Sequence, residues 1–388
     1  MTASDLRLPL PPVDQPARLL GGLTPAQFMR RHWQKKPLLV RQAVPGFVPP
    51  LTRTGLFDLA GQPGVESRLI VRGAQGWSLK HGPFVRRSLP PLQRPGWTLL
   101  VQGVDLHDDA AHELLSRFRF VPDARLDDLM ISWASDGGGV GPHFDSYDVF
   151  LLQASGRRRW CIGRQKDLSL EPDVPLKILS RFEPEEEHWL EAGDMLYLPP
   201  RWAHDGVAEG GDCMTCSIGF RVPQRAGLAA ELVQRMGEAF EDETLYRDPS
   251  QLATAHPGAM PPALEAFAAD GLRRLLEDRA SLACALGEVM TEPKPSVWFT
   301  EPQEPWSSGA VVLDRRTRMM YDARHVFING ESYRAAGADA RLMQGLADRR
   351  QLDARAVKRA SEAARRLLAE WFEAGWLHRI RASGEAQA

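Results

Sequence analysis

Residues 137–160 read GGGVGPHFDSYDVFLLQASGRRRW. His143 and Asp145 are separated by one residue. In an extended chain, side chains at i and i+2 leave on the same face, so an imidazole and a carboxylate project together. Gly137, Gly138, Gly139 and Gly141 precede the pair and allow backbone to approach it closely. Downstream, YDVFLLQ (147–153) and RRRWCIG (157–163) have the aromatic and β-branched content of short strands, with Gly156 between them as a turn signal.

A third metal ligand needs a second segment, and EAGDMLYLPPRWAHDGVAE (191–209) supplies it. Its order is a Gly193–Asp194 turn, an apolar strand, a Pro-Pro turn and then His204. This is the layout of the second motif of cupin-like double-stranded β-helices, where the late histidine lies across the barrel from the first pair. Two histidines and one carboxylate on one face of an octahedron make the facial triad of non-haem Fe(II) oxygenases and leave three positions open. Structural zinc instead favours a closed tetrahedron. Non-oxygenase cupins carry HxH with a later Glu, whereas this chain carries HxD.

Arg157, Arg158 and Arg159 follow Gly156 and precede Trp160. Three successive strand residues cannot all face water. Arg158 shares a face with Trp160 and Ile162 and is the one expected inside the barrel; Arg157 and Arg159 share the other face with Cys161. A buried guanidinium needs a partner, and a carboxylate gripped by two donors is the best one. That partner is either an internal Asp or Glu or the distal carboxylate of a bound 2-oxoglutarate. Ser132, in LMISW, could add a hydroxyl to the latter.

Outward from these segments, LDDLMISWAS, DMLYLP and CMTCSIGFRV also read as strands. Many short strands without intervening helices argue for a sandwich or barrel. From Gln224 to about Gly287, apolar residues recur at three- and four-residue spacing, the pattern of two or three helices serving as a dimer arm, a linker or a satellite bundle. The Pro-rich stretch 291–309 is a boundary, followed by a hairpin-like stretch and two helices, which suggests a winged helix. Residues 1–223, 224–305 and 306–388 are therefore expected to form an oxygenase-type barrel with an N-terminal extension, a helical region and a winged-helix domain, an α+β chain. From 341 to 381 ten Lys and Arg face five Asp and Glu, a modest surplus read as a solvated face for protein contacts.

The whole chain bounds the class. Its 388 residues suit two or three domains. With 48 basic and 50 acidic residues it is near neutral, which excludes a general nucleic-acid or membrane-surface binder. Four cysteines are too few for a disulfide scaffold, and the lone Cys213–Cys216 CxxC pair reads as reduced, buried thiols. The N-terminus opens with prolines and acids where a signal peptide carries an apolar run, and no stretch reaches the ~18 apolar residues of a membrane span, so a cytoplasmic protein is expected.

HWQKKPLLVRQ, SLKHGPF, DDLMIS, GGGVGPHFDSYDVF, GRRRW and GDMLYLPPRWAH, in this order, resemble the bacterial ribosomal oxygenases, JmjC-type cupin-fold members of the Fe(II)- and 2-oxoglutarate-dependent oxygenases. The resemblance runs by motif from Gly22 to Pro223 and continues as barrel, helical dimerisation region and winged helix. It implies iron ligands His143, Asp145 and His204, contacts from Arg158 and Ser132 to 2-oxoglutarate, and O₂ as co-substrate. It also implies a homodimer that hydroxylates the β-carbon of an arginine in a large-subunit ribosomal protein, with histidine as the target in sister lineages. Thr215 stands where relatives often have asparagine. The resemblance carries no expectation of nucleic-acid binding by the winged helix. Asp148 and Asp205, flanking the ligands, are candidate partners for an arginine guest. Two other classes are weighed: a non-enzymatic barrel regulating transcription through the winged helix, and a metal-dependent cupin isomerase. The HxD pair and GRRRW argue against both.

Overall fold

In the computed structural model, which describes residues 12–306 and 308–380, ten strands form one antiparallel sheet that wraps into the barrel. They are β1 (Leu38–Val40), β2 (Ser67–Gly73), β3 (Gly76–His81), β4 (Trp97–Val101), β5 (Leu126–Ala134), β6 (His143–Phe144), β7 (Val149–Arg164), β8 (Glu186–Leu190), β9 (Met195–Leu198) and β10 (Trp202–Phe220). The main path runs β1-β9-β7-β10-β5-β4-β2-β3, with β6 paired to β10 and β8 to β7. Around it lie α1 (Pro25–Arg31), α2 (Arg53–Leu59) and α3 (Asp109–Ser116). Each starts on a side-chain cap, Thr24, Thr52 or Asp108, that satisfies an otherwise orphaned backbone N–H. The sequence stretch 1–11 and the last residues of the basic C-terminal segment lie outside the described residues.

Two expected strands are one. YDVFLLQ and RRRWCIG are halves of the 16-residue β7, and CMTCSIGF closes the 19-residue β10. Gly156 at φ 65° does not turn the chain. It bends β7 opposite a register shift between Glu209 and Met214 of β10, as a bulge does when it curves a sheet without ending the pairing. The long β7–β10 pair therefore spans the barrel and carries both His204 and Arg158.

The core explains the motifs that carry no ligand. Trp33, Phe28, Phe150, Tyr197 and Phe220 pack ring to ring, with Trp33 and Phe220 edge-to-face at 4.9 Å. Behind them the Tyr197 hydroxyl donates to Asp148 Oδ1 (2.6 Å), Gln34 Nε2 donates to Asp148 Oδ2 (3.0 Å), and Arg125 lies 3.6 Å from the same oxygen. Asp194 is held in the same way, accepting from the Gln42 backbone N–H and from Arg41. HWQ and VRQ are thus polar ties between the N-terminal extension and the two motif turns.

The helical region is α4 (Arg225–Glu238), α5 (Pro262–Glu277) and α6 (Arg279–Thr291). These are three helices, within the two or three that the spacing suggested; α5 and α6 are separated at Asp278, whose carboxylate caps the N-terminus of α6. The C-terminal unit contains β11 (Val311–Leu313), β12 (Met319–Tyr321), β13 (His325–Ile328), β14 (Glu331–Arg334), α7 (Gly337–Arg349), β15 (Gln351–Leu352), α8 (Ala354–Arg359), α9 (Glu362–Glu373) and β16 (Leu377–Arg379). It has three helices where the sequence suggested two, because Ser361 and Asp353 each cap a separate helix start. The end of α9 is a Schellman turn: the N–H groups of Trp376 and Gly375 reach the carbonyls of Trp371 and Phe372. Among the described residues no helix is long and apolar enough to cross a membrane. All four cysteines are free; Cys213 and Cys216 are buried, Cys161 and Cys284 half-buried.

Candidate metal centre

β6 and β10 pair with His143 directly opposite His204. The two rings lie 4.2 Å apart, and the Asp145 carboxylate is 3.6 Å from His204 Nε2. One ligand atom from each of the three residues falls within 4.8 Å of the others. The tautomers follow from the backbone. His143 Nδ1 lies 2.8 Å from the carbonyl of Gly141, and His204 Nδ1 lies 2.9 Å from that of Trp202. A carbonyl only accepts, so each Nδ1 carries the proton and each Nε2 keeps its lone pair for the centre. Asp145 is positioned by its own carbonyl, which accepts from the Arg201 N–H at 2.7 Å. The donor set and its orientation fit a divalent metal.

Burial, and the neighbouring His143, push the His204 imidazole down to about 4. It is therefore neutral at pH 7, as a ligand must be. The unfolded imidazole binds its proton near 6.5 and the folded one only near 4, so between these values the unfolded state holds more protons. Stability of the metal-free protein is accordingly expected to fall by roughly 3 kcal/mol as pH drops through this window, and a His204→Gln variant to lose that acid dependence in urea titrations.

Of the four glycines before His143, Gly138 and Gly139 are the two that let neighbouring backbone approach closely. A Cβ on Gly138 would lie 2.5 Å from the Trp97 carbonyl oxygen, and one on Gly139 2.6 Å from that of Gly206. Both obstacles are backbone and cannot rotate away. Gly139→Ala is expected to destabilise the fold by about 1–3 kcal/mol in chemical denaturation.

The triad opens on a cavity of about 500 Å³ whose wall includes Arg158, Ser132 and Thr215. Arg158 is 4% exposed; its Nη1 donates to the Gly206 carbonyl at 3.3 Å, and its Nε and Nη2 have no partner. Among the described residues no carboxylate lies within ion-pair distance of it. Arg157 and Arg159 face outward and pair with Glu209 and Glu187, as the strand alternation required. A buried cation with two unused donors is costly unless a bound anion completes it, so the chemistry of the pocket fits a carboxylate guest at this end.

The opposite end holds residues that sequence reasoning missed. Asp128, Met130 and Ser132 alternate along β5, pair across to Gly219, Ser217 and Thr215 of β10, and all six line the cavity. The acid at the far end is Asp128, about 13 Å along the strand from Ser132, with Asp127 beside it. The same period-two pattern that placed Ser132 inward places Asp128 inward. By contrast Asp148 is fully buried in the Tyr197–Gln34 network, and Asp205 lies in a neighbouring cleft with Arg72 and Trp77. Neither reaches the triad cavity, which corrects the expectation that they receive the guest. His112, on α3, packs at the junction with the C-terminal unit, its Nδ1 buried.

The JmjC domain family matches residues 113–228, and the ROXA-like winged helix family matches 274–378. The chain belongs to the JmjC-type ribosomal oxygenases, a family of 2-oxoglutarate-dependent dioxygenases. It is 34% identical over 280 residues to the ribosomal protein uL16 3-hydroxylase of Escherichia coli K12, covering 72% of this chain and 74% of that one. It is 37% identical over 210 residues to a probable ribosomal oxygenase of Haemophilus influenzae, covering 53% and 52%. The structure of YcfD, a ribosomal oxygenase from Escherichia coli, in complex with cobalt and 2-oxoglutarate superposes with a TM-score of 0.78 at 28% identity, over 92% of this chain and 98% of that one.

Proposed function

We propose that the chain hydroxylates the β-carbon of an arginine in a large-subunit ribosomal protein, of which uL16 is the first candidate. In this reading His143, Asp145 and His204 hold Fe(II), and Arg158 with Ser132 receives the distal carboxylate of 2-oxoglutarate. The observation that carries it is the coexistence, in one cavity, of a two-histidine, one-carboxylate donor set and a buried guanidinium with two unpartnered nitrogens. When bound, iron and 2-oxoglutarate supply activation of O₂ and insertion of one oxygen atom into an unactivated C–H bond.

The protein positions the parts. Arg158 fixes one end of the co-substrate. Trp160, Val149 and Leu151 line the wall and limit water. Asp128 supports arginine as the target, because a carboxylate at the far end of the cavity offers a planar guanidinium an acceptor while the aliphatic stem crosses toward the triad.

The domain division at 223 and 305 belongs to the same reading, supported by the end of β10 at Phe220 and the helical run α4–α6. A homodimer is also proposed. Val233, Phe240, Phe267, Leu272 and Leu276 of this region are exposed, an apolar set that a second copy could cover. Sedimentation velocity should give about twice the 43.3 kDa chain mass, and a monomer would remove that part. The winged helix is read as a packing module rather than a nucleic-acid reader, since Arg315, Arg316 and Arg350 spend donors on the carbonyls of Leu106, Asp314 and Thr317. A cytoplasmic placement follows from the ribosomal substrate.

The test is succinate release from 2-oxoglutarate with Fe(II), with and without uL16. Stimulation by uL16 and by no unrelated protein of similar charge supports the reading; equal turnover with every protein contradicts it.

A further inference from the structure

Asp128 is 2% exposed and its two oxygens have different surroundings. Oδ2 accepts from Gln102 Nε2 at 2.6 Å and from the Gly103 N–H at 2.8 Å, with Lys294 Nζ 3.7 Å away. Oδ1 has no hydrogen-bond donor among the described residues and lies on the Gly219 side, where a Cβ would approach it to 3.5 Å. One oxygen is anchored from behind and the other faces the cavity.

Lys294 does not belong to the barrel. It follows α6, in the segment joining the helical region to the C-terminal unit, and also pairs with Asp127 Oδ1 at 3.2 Å. The other groups facing this cluster are Asp105, which accepts from the Leu129 N–H, Arg221, 3.6 Å from Asp127, and Arg318, which donates to the Asp127 carbonyl. Arg68 stands one step back, on Gln102. Asp105 and Asp128 are both buried, so three carboxylates meet where Lys294 is the one cation in contact with Asp128 among the described residues. Two buried carboxylates so close do not both ionise readily without a cation.

We propose that Lys294 is a positioning residue for the substrate cation: from outside the barrel it fixes Asp128 by its rear oxygen and keeps it ionised, so that Oδ1 is an acceptor for the guest. This rests on the arginine reading above. Burial and the neighbouring Asp127 raise the Asp128 carboxyl, Lys294 is the chief opposing charge, and Asp105 is pushed up to about 7 by burial and by Asp128. Loss of Lys294 removes the chief charge that opposes protonation of Asp128, and a protonated Asp128 holds a guanidinium poorly. Substrate affinity is thereby tied to the packing of the C-terminal region on the barrel.

The experiment compares the full-length protein with Lys294→Met and Lys294→Arg. Carboxyl ¹³C NMR, with Asp128→Asn for assignment, reads the titration of Asp128, and kinetics with uL16 read KM and kcat separately. In the methionine variant Asp128 should titrate at least about one pH unit higher, and KM should rise about tenfold at pH 7 with kcat within about twofold. The KM gap should narrow toward pH 8.5, and the arginine variant should restore both readouts. An unmoved Asp128 titration, or a KM that falls in the methionine variant, overturns the proposal. A shifted titration alongside a wild-type protein that leaves arginine unmodified would retain the hold of Lys294 on Asp128 and overturn the arginine reading alone.

Discussion

Asp145→Ala is expected to lower hydroxylation of a ribosomal protein by at least about 10³-fold, since a metal centre contributes several kcal/mol to the reaction it assists. The carboxylate supplies the anionic donor of the set and lies against His204 Nε2. Its loss leaves two imidazoles that still converge, so the variant should fold and bind metal weakly. Thermal melts provide the check. Cobalt should raise the Tm of the wild-type protein through preferential binding to the folded state. The same concentration should leave the Asp145→Ala melt almost unmoved. Equal protection of both proteins would place the metal elsewhere.

Arg158→Met is expected to act in two opposite directions. Truncating one partner of a buried charge pair costs about 3–5 kcal/mol, so KM for 2-oxoglutarate should rise on the order of 10²- to 10³-fold. Without the co-substrate, the wild-type protein buries a guanidinium with two unsatisfied nitrogens. Methionine removes that cost, of about 1–3 kcal/mol, and the ligand-free variant should be more stable than wild type in urea. A destabilised variant would mean that Arg158 already has a structural partner, and the co-substrate assignment would fail with it.

The convergence of His143, Asp145 and His204 was legible in the sequence because its information is local. HxD in extended backbone places two candidate donors on one face by strand alternation, and the Gly-Asp turn, Pro-Pro turn and late histidine mark the third. The inward placement of Arg158 was legible for the same reason: the period of two separates it from Arg157 and Arg159, and the structure pairs those two with Glu209 and Glu187. What was not legible depends on pairing between distant segments. Asp148 resembles a site acid by its place beside the ligands, but Gln34 and Tyr197, far off in sequence, turn it into a core tie. Asp128 carried the right periodicity, yet only the β5–β10 register shows that it shares a wall with Ser132 and Thr215. The continuity of β7 through Gly156 was hidden because a glycine at positive φ serves a turn and a bulge equally well. Lys294 came from a Pro-rich stretch that read as a boundary, and no local pattern links such a residue to the barrel.

The most direct measurement of the central claim is tandem mass spectrometry of uL16 incubated with the wild-type protein, Fe(II), 2-oxoglutarate and O₂, beside the Asp145→Ala variant. One added oxygen on the β-carbon of a single arginine, absent with the variant, is the result this account requires. Oxygen on a histidine would keep the metal chemistry and contradict the role given to Asp128. Unmodified protein in both reactions, with the metal shown to be bound, would contradict the assignment as a ribosomal-protein hydroxylase.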